Sequence, residues 1–175
     1  MVIRSITIRP ETQVDHAAID EVNRVAFGRE NEARLVENLR KSPNFIPELS
    51  LVAVKDVSVV GHLLFSPIAI QMGNSNLPAL ALAPVAVRPE HQNEGVGSEL
   101  VRHGLNQCRD LGNKVIVVVG HPEYYPRFGF SSARAKGLEA PFPVPDEAFM
   151  VLELVPGALD GIKGVVNYPP AFDEV

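Results

Sequence analysis

The chain has 175 residues and a mass of 19.0 kDa, and its 46% hydrophobic and 21% charged side chains exclude a disordered or collagen-like protein. Sixteen Lys and Arg against 21 Asp and Glu give a net charge of −5, which argues against a general binder of nucleic acid or of anionic membranes. The first residues alternate polar and apolar side chains, unlike a signal peptide, and no window is apolar over the roughly 20 residues that a membrane span needs. These observations predict one domain over residues 1–175, in the cytoplasm.

The first half of the chain alternates between strand-like and helix-like hydrophobic patterns. Asp15 is a candidate N-cap, because Ile19 and Val22 follow it at helical spacing. Residues 56–58 and 73–76 are rich in Asp, Ser, Gly and Asn, which is typical of turns between antiparallel strands. The predicted elements are a strand over 2–9, a helix after Asp15, a second helix over 30–41, and strands over 51–54, 59–70 and 77–87.

The second half contains the longest predicted helix. Apolar residues at helical spacing run from Val96 to Leu111, and Gly112 marks the end of this helix. Residues 115–119 are all β-branched, which is typical of a central strand covered on both faces. A last strand is predicted over 149–154, before a tail rich in Pro and Gly. The order of elements predicts an α+β fold, a mixed α/β layer structure.

Residues 80–100 carry the clearest functional signal. An apolar strand ends at Arg88, and Gly95 and Gly97 then open a helix. Helix N-termini present unpaired backbone N–H groups to anions, and glycine lets a phosphate approach the backbone; a plain tight turn is the alternative interpretation. The segment lacks the Gly-Lys-Ser/Thr ending of a P-loop, and Leu100 stands where a dinucleotide fingerprint has its third glycine. The missing glycine argues against a nucleotide-binding oxidoreductase.

Pro84 lies inside the apolar run that leads to this junction. A central strand needs the backbone N–H that proline lacks, so Pro84 predicts a bulge or a local separation of strands. Backbone groups of Val85, Ala86 and Val87 would then be free to pair with a ligand. A cleft between two strands that points at a phosphate-binding helix terminus suits coenzyme A, which has an amide-bearing arm and a pyrophosphate.

The hexapeptide Gln92–Gly97 resembles the acyl-CoA loop of the GCN5-related N-acetyltransferases, the GNAT family. Residues 121–130, HPEYYPRFGF, are similar to the Tyr-x-x-x-Gly-Phe element of that family, and Tyr125 matches its tyrosine. With GHLLFSPI and GVVNYPPAF, these motifs resemble the YhbS-type subgroup of predicted N-acetyltransferases over nearly the whole chain. The resemblance implies the GNAT fold, with a mostly antiparallel central sheet, splayed central strands and flanking helices.

The resemblance implies a role for each residue of these motifs. Val85, Ala86 and Val87 would bind the pantetheine arm, and Gln92 would brace the loop. Tyr125 would be the general acid that protonates the departing CoA thiolate. Tyr124 would line the CoA channel; ordinary aromatic packing is the alternative for both tyrosines. The other expected cofactor-binding residues, whose backbone N–H groups would hold the pyrophosphate, are Asn93, Glu94, Gly95, Val96, Gly97 and Ser98.

The implied reaction moves an acetyl group from acetyl-CoA to an amine of a small molecule or peptide by direct attack in a ternary complex. A backbone N–H near Val87 would stabilise the oxyanion. Many relatives carry a glutamate on the strand before the CoA loop, where this chain has Leu80, Leu82 and Ala83. The alternative function is therefore an acyl-CoA-binding sensor without turnover. The candidates for the base that deprotonates the amine are a water molecule, Glu30, Glu32, His62, His121 and Glu123.

Other titratable residues receive less specific expectations. Cys108 lies on the apolar stripe of the long helix, which favours a buried, inert thiol over an acyl-cysteine. The histidines at 16, 91 and 103 lack the spacing of a metal site, so no metal is expected. Residues 137–175 contain one basic and seven acidic side chains, which would suit a cationic acceptor if they border the cleft; plain solvation is the alternative. Polyamine-like molecules, aminoglycosides, amino-acid derivatives and protein lysines or N-termini all stay open as acceptors.

Two features leave alternatives open. The apolar tail over 165–172 packs either on the core of its own chain or across the interface of a homodimer. Arg127 either meets a CoA phosphate or stays solvated.

Overall fold

The computed structural model describes residues 5–174, and in that range the chain forms three α-helices and nine strands. The helices are α1 (His16–Phe27), α2 (Asn31–Arg40) and α3 (Val96–Asp110). The strands are β1 (Thr7–Pro10), β2 (Ser50–Lys55), β3 (Ser58–Met72), β4 (Ser75–Val87), β5 (Val115–Val119), β6 (Ser131–Ser132), β7 (Leu138–Glu139), β8 (Phe149–Glu153) and β9 (Gly164–Asn167). None of the helices in residues 5–174 has the length and apolar character needed to cross a membrane.

The described strands form one mixed sheet in the order β1-β2-β3-β4-β5-β8-β6. Neighbours along this order are antiparallel except for β4 and β5, which run parallel. β9 extends the sheet beside the second half of β3 and also pairs in parallel with β7. A mostly antiparallel sheet flanked by helices confirms the predicted α+β class.

Helices cover both faces of the sheet. Successive residues of β3 divide between the faces, with Phe65 in the cluster under α3 and Leu64 in the cluster under α1 and α2. α3 buries Cys108 completely, as predicted, while α1 buries Ile19 on the other face. A Cβ at Gly104 would lie 2.5 Å from the Phe65 ring, so this glycine lets α3 approach the sheet closely.

β4 and β5 separate soon after they begin to pair. Their parallel register joins β5 only to Leu80 and Ala81 of β4. On its other side β4 stays paired with β3, but the register shifts between Leu82 and Val85, around Pro84, whose preceding peptide bond is cis. Both the bulge and the strand separation that Pro84 predicts are therefore present.

Three local predictions need correction. The strand predicted over 2–9 is observed at Thr7–Pro10, and positions 2–4 lie outside the described residues. Leu111 was expected on the buried stripe of α3 but is 48% exposed, because the helix ends at Asp110. Val119 was expected to be covered on both faces but is 42% exposed, because β5 has left β4 at this point.

The tail contains structure that the sequence did not predict. β9 lies in a segment rich in Pro and Gly, and it is held by pairing with β3 and β7 instead of by a strand-like pattern of its own. Val166 is fully buried, and Tyr168 and Phe172 pack against the same cluster. The tail therefore packs on the core of its own chain.

Candidate active site

The separation of β4 from β5 exposes backbone groups of β4. The Arg88 N–H donates to the Val60 carbonyl across the β3–β4 ladder at 2.9 Å. Because backbone groups alternate in direction along a strand, those of Val87 and Val85 point away from β3, into the gap beside β5. Within residues 5–174, no strand pairs with this edge of β4 beyond Ala81. The Val87 N–H and both backbone groups of Val85 are therefore free to pair with an extended ligand, while the Val87 carbonyl accepts from Gln92.

The loop after β4 turns sharply into α3. Asn93 has φ of 63° and Gly95 has φ of 87°, both left-handed conformations that Asn tolerates and glycine adopts without strain. The side-chain amide of Gln92 donates to the Val87 carbonyl at 3.1 Å, so Gln92 does tie the loop to the end of β4. The unpaired N–H groups of the first turn of α3 follow directly.

Tyr124 closes over the start of α3. Its hydroxyl lies 3.3 Å from the Ser98 hydroxyl. A Cβ at Gly97 would lie 3.0 Å from the same Tyr124 oxygen, tighter than ordinary van der Waals contact. Arg127 stacks its guanidinium over the Tyr124 ring, 4.5 Å from the centroid, and donates to the Tyr124 carbonyl at 2.9 Å.

One cavity of about 720 Å³ brings most of the sequence-predicted residues together. Two predicted residues do not line it. Ala86 packs on the opposite face of the sheet, and the Glu94 carboxylate instead contacts His91 at 3.2 Å and Lys55 at 3.3 Å. The predicted residues that do line it are Val85, Val87, Gln92, Asn93, Gly95, Val96, Gly97, Ser98, Tyr124 and Tyr125.

A family model for the acetyltransferase (GNAT) domain matches residues 7–133. The chain belongs to the GNAT family. The uncharacterized N-acetyltransferase YjhQ of Escherichia coli (strain K12) is 40% identical over 149 residues, covering 84% of this chain and 82% of YjhQ. The uncharacterized N-acetyltransferase YhbS of the same strain is 35% identical over 167 residues, covering 95% of this chain and 98% of YhbS. The family resemblance seen in the sequence is confirmed.

Two solved GNAT structures are similar to the whole chain. The crystal structure of Escherichia coli YhbS in complex with CoA has a TM-score of 0.92 and 33% identity, covering 99% of this chain and 94% of the YhbS chain. A GNAT family acetyltransferase from Brucella melitensis in complex with acetyl-CoA has a TM-score of 0.80 and 35% identity, covering 98% of this chain and 100% of the Brucella chain. The GNAT fold predicted from the sequence is therefore confirmed.

Tyr125, which matches the GNAT tyrosine, packs in the core and also lines the 720 Å³ cavity. It begins a 3-10 turn, Tyr125–Phe128, and is only 8% exposed. Its ring packs edge-on against Tyr124 at 5.1 Å and Phe130 at 5.7 Å, and a Cβ at Gly120 would lie 2.5 Å from it. Burial, and then the neighbouring Tyr124, raise the pKa of Tyr125 to about 12. The hydroxyl therefore stays protonated at neutral pH.

The structure separates the five candidate bases. His121 follows β5 directly and lines the 720 Å³ cavity, whereas the other four do not. Glu30 pairs with Arg24 at 2.6 Å, and Glu32 is nearly buried in an ion pair with Arg29. Glu123 is exposed in the loop after β5.

His62 is fully buried under α1, away from the cavity. One ring nitrogen lies 3.2 Å from the Asn23 amide nitrogen, and the other lies 3.0 Å from the Ser50 hydroxyl. Burial, followed by the charge of Arg40, lowers the pKa of His62 to about 3. The imidazole is therefore neutral and has no route to a ligand in the gap.

Sequence reasoning missed part of the cavity wall. Ala26 and Phe27 at the end of α1 line it, as does His91. Phe27 is 40% exposed at the last position of α1. The helix pattern of α1 does not predict this position, because it follows from how α1 crosses the sheet.

A second cavity, of about 540 Å³, lies beside the first along β4. Ala83 lines the second cavity and Val85 lines the first, so only Pro84 separates the two walls. The other lining residues are Ala81, Leu82, Val117, Val119, Pro141, Phe142, Asn167, Tyr168, Phe172 and Asp173. Both cavities therefore flank the gap between β4 and β5.

Proposed function

We propose that this chain transfers an acetyl group from acetyl-CoA to an amine. The observation that carries the proposal is that the unpaired edge of β4 and the glycine-opened N-terminus of α3 line one cavity. The amides of pantetheine pair naturally with a strand edge, and a pyrophosphate suits a helix N-terminus. The CoA and acetyl-CoA held by the two solved GNAT relatives support this ligand.

The proposed CoA site uses backbone groups more than side chains. Val85 offers its backbone N–H and C=O groups to the pantetheine arm, and Val87 offers its N–H at the thioester end of that arm, because the Val87 carbonyl is held by Gln92. The backbone of Ala86 faces β3 and sets the spacing between them. The backbone N–H groups over 93–98 hold the pyrophosphate, so Glu94 takes part through its backbone alone. Gln92 acts as the brace of this loop.

The proposed reaction is direct transfer in a ternary complex. A neutral amine attacks the thioester carbonyl, the C–N bond forms, and the C–S bond breaks. The Val87 N–H faces the gap and stabilises the oxyanion. Tyr125 supplies a proton to the departing thiolate and recovers it from water; its pKa of about 12 keeps the hydroxyl protonated beforehand but makes it a weaker acid than a free tyrosine. The proton released by the amine passes to a water molecule or to His121, the candidate base that lines the cavity.

The test of transfer is release of the CoA thiol. Purified protein is incubated with acetyl-CoA and a panel of amines, and the free thiol is measured together with the mass of the amine product. We expect thiol release equal to the amount of acetylated amine. Binding of acetyl-CoA without turnover on any amine would instead support a sensor, the function favoured by the absence of an acidic residue at Leu80, Leu82 and Ala83.

The test of Tyr125 is the Tyr125→Phe variant. Removing the general acid should lower kcat by about 100-fold or more. The dissociation constant of acetyl-CoA should not change, because the phenylalanine keeps the ring packing. Phe128→Leu is the matched control, since it disturbs the same aromatic cluster but keeps the hydroxyl. Equal losses of kcat in both variants would assign Tyr125 a packing role only.

A further inference from the structure

The second cavity has an aromatic wall that the CoA site does not use. The Phe142 and Tyr168 rings lie 5.7 Å apart, and the Tyr168 and Phe172 rings lie 5.0 Å apart. Phe142 is 44% exposed although it belongs to this cluster. Such a wall with one face open to the cavity buries a flat apolar group and excludes water from it.

Tyr168 keeps this wall uncharged. Burial raises the pKa of Tyr168 to about 12. The ring is therefore neutral at physiological pH.

Among the residues that the structure describes, the charge lining the second cavity is negative. Asp173 is the charged residue among the lining side chains, and no Lys or Arg of the described range lines this cavity. Other carboxylates of the acidic C-terminal region are engaged elsewhere: Glu139 and Asp146 pair with Arg134, and Glu153 pairs with Lys136. The cavity therefore attracts one cationic group, and a second cation would be left without a counter-charge against an apolar wall.

We propose, on the basis of the acetyl transfer above, that the acceptor is a primary amine with one positive charge and one flat apolar group of about phenyl size, bound in the second cavity. The aromatic wall holds the apolar group, and Asp173 attracts the ammonium. The ammonium loses its proton to water or to His121, and the neutral amine meets the thioester across the gap, where only Pro84 separates the two cavities along β4. Polyamines and aminoglycosides are disfavoured, because each carries several cations.

The test compares 2-phenylethylamine with putrescine as acceptors. Burying one phenyl group should raise kcat/KM for 2-phenylethylamine about 10- to 100-fold above that for putrescine. Phe142→Ala should remove most of this preference by lowering kcat/KM for 2-phenylethylamine. The matched control is Leu111→Ala, a similarly exposed apolar residue at the end of α3, which should retain the preference. Asp173→Asn should raise the KM for 2-phenylethylamine and leave kcat near the wild-type value.

A direct titration keeps this inference separate from the proposed transfer. 2-Phenylethylamine is titrated calorimetrically into wild-type protein and into Phe142→Ala, each with and without saturating CoA. Binding that weakens about 10-fold or more in Phe142→Ala supports the aromatic wall as the acceptor site, whether or not turnover is seen. Acetyl transfer that favours putrescine, or no binding of 2-phenylethylamine, would overturn this acceptor class and leave the transfer intact. A lack of acetyl-CoA binding would contradict the transfer itself.

Discussion

The hydroxyl oxygens of Tyr124 and Ser98 lie 3.3 Å apart and join the loop after β5 to the first turn of α3. The contact spans the mouth of the cavity that we assign to CoA, and Gly97 passes directly beneath it. The helix terminus that would hold the pyrophosphate is therefore shaped by a residue 26 positions further along the chain.

Gly97→Ala should act through Tyr124. The added methyl group would lie 3.0 Å from the Tyr124 oxygen, so either the tyrosine or the start of α3 must move. Alanine is favoured over glycine by about 1 kcal/mol within a helix, which offsets the close contact, so we expect little net change in the free energy of unfolding together with weaker acetyl-CoA binding. Urea denaturation and calorimetry measure the two effects.

Tyr124→Phe provides the control for this contact. It removes the oxygen that the methyl group meets. The change in the free energy of unfolding caused by Gly97→Ala should therefore be more favourable in the Tyr124→Phe background than in the wild type. Equal changes in the free energy of unfolding in both backgrounds would show that Gly97 acts independently of Tyr124.

His62 should make the stability of the protein depend on pH. The folded chain keeps this ring neutral, with a pKa of about 3, whereas the unfolded chain protonates it near its ordinary value of 6.5. Unfolding therefore takes up a proton between these values, and the free energy of unfolding should fall by about 1.4 kcal/mol per pH unit from pH 6 to pH 4. The loss should stop near pH 3, where the folded state also binds the proton.

Urea denaturation at successive pH values measures this slope. His62→Gln keeps groups that can bond to Asn23 and Ser50, and it should abolish this contribution to the slope. NMR of the wild-type protein gives a second readout, since the His62 ring signals should not shift between pH 7 and pH 4. Titration of those signals near pH 6 would contradict the assignment.

Cys108 should be chemically inert in the folded protein. It is fully buried on α3, and burial raises the pKa of its thiol to about 12. A thiol-specific disulfide reagent should therefore label it only after denaturation. Mixing with acetyl-CoA should leave the mass of the Cys108 peptide unchanged, and Cys108→Ala should retain acetyl transfer. An acetylated Cys108 would indicate a covalent intermediate instead of direct transfer.

The geometry of the cavity that we assign to CoA was predictable because its signals are local. Pro84 inside an apolar run predicts where β4 leaves β5, and Gly95 and Gly97 predict the open start of α3. The motif around Tyr125 lies within a few residues of the strand that positions it. Short-range geometry of this kind follows directly from residue type and order.

The second cavity could not be predicted in this way. Its aromatic wall combines Phe142 with Tyr168 and Phe172, which are brought together when β9 pairs with β3. β9 has weak strand character, so its position follows from tertiary pairing and not from its own sequence. His62 shows the same limit, because the helix α1 that buries it begins more than forty residues earlier in the chain.

The most direct test of acetyl-CoA binding at the start of α3 is a calorimetric titration of acetyl-CoA into wild type, Gly95→Ala and Gly112→Ala. Gly95 and Gly112 have the same φ of 87° and the same open space around an added Cβ, so both variants carry the same backbone strain. Gly95 lines the cavity, whereas Gly112 lies beyond the other end of α3. We expect micromolar binding by wild type and Gly112→Ala, and binding weaker by about 10-fold or more in Gly95→Ala. Folded, CoA-free wild-type protein that does not bind acetyl-CoA, or equal weakening in both variants, would contradict a CoA site at the start of α3.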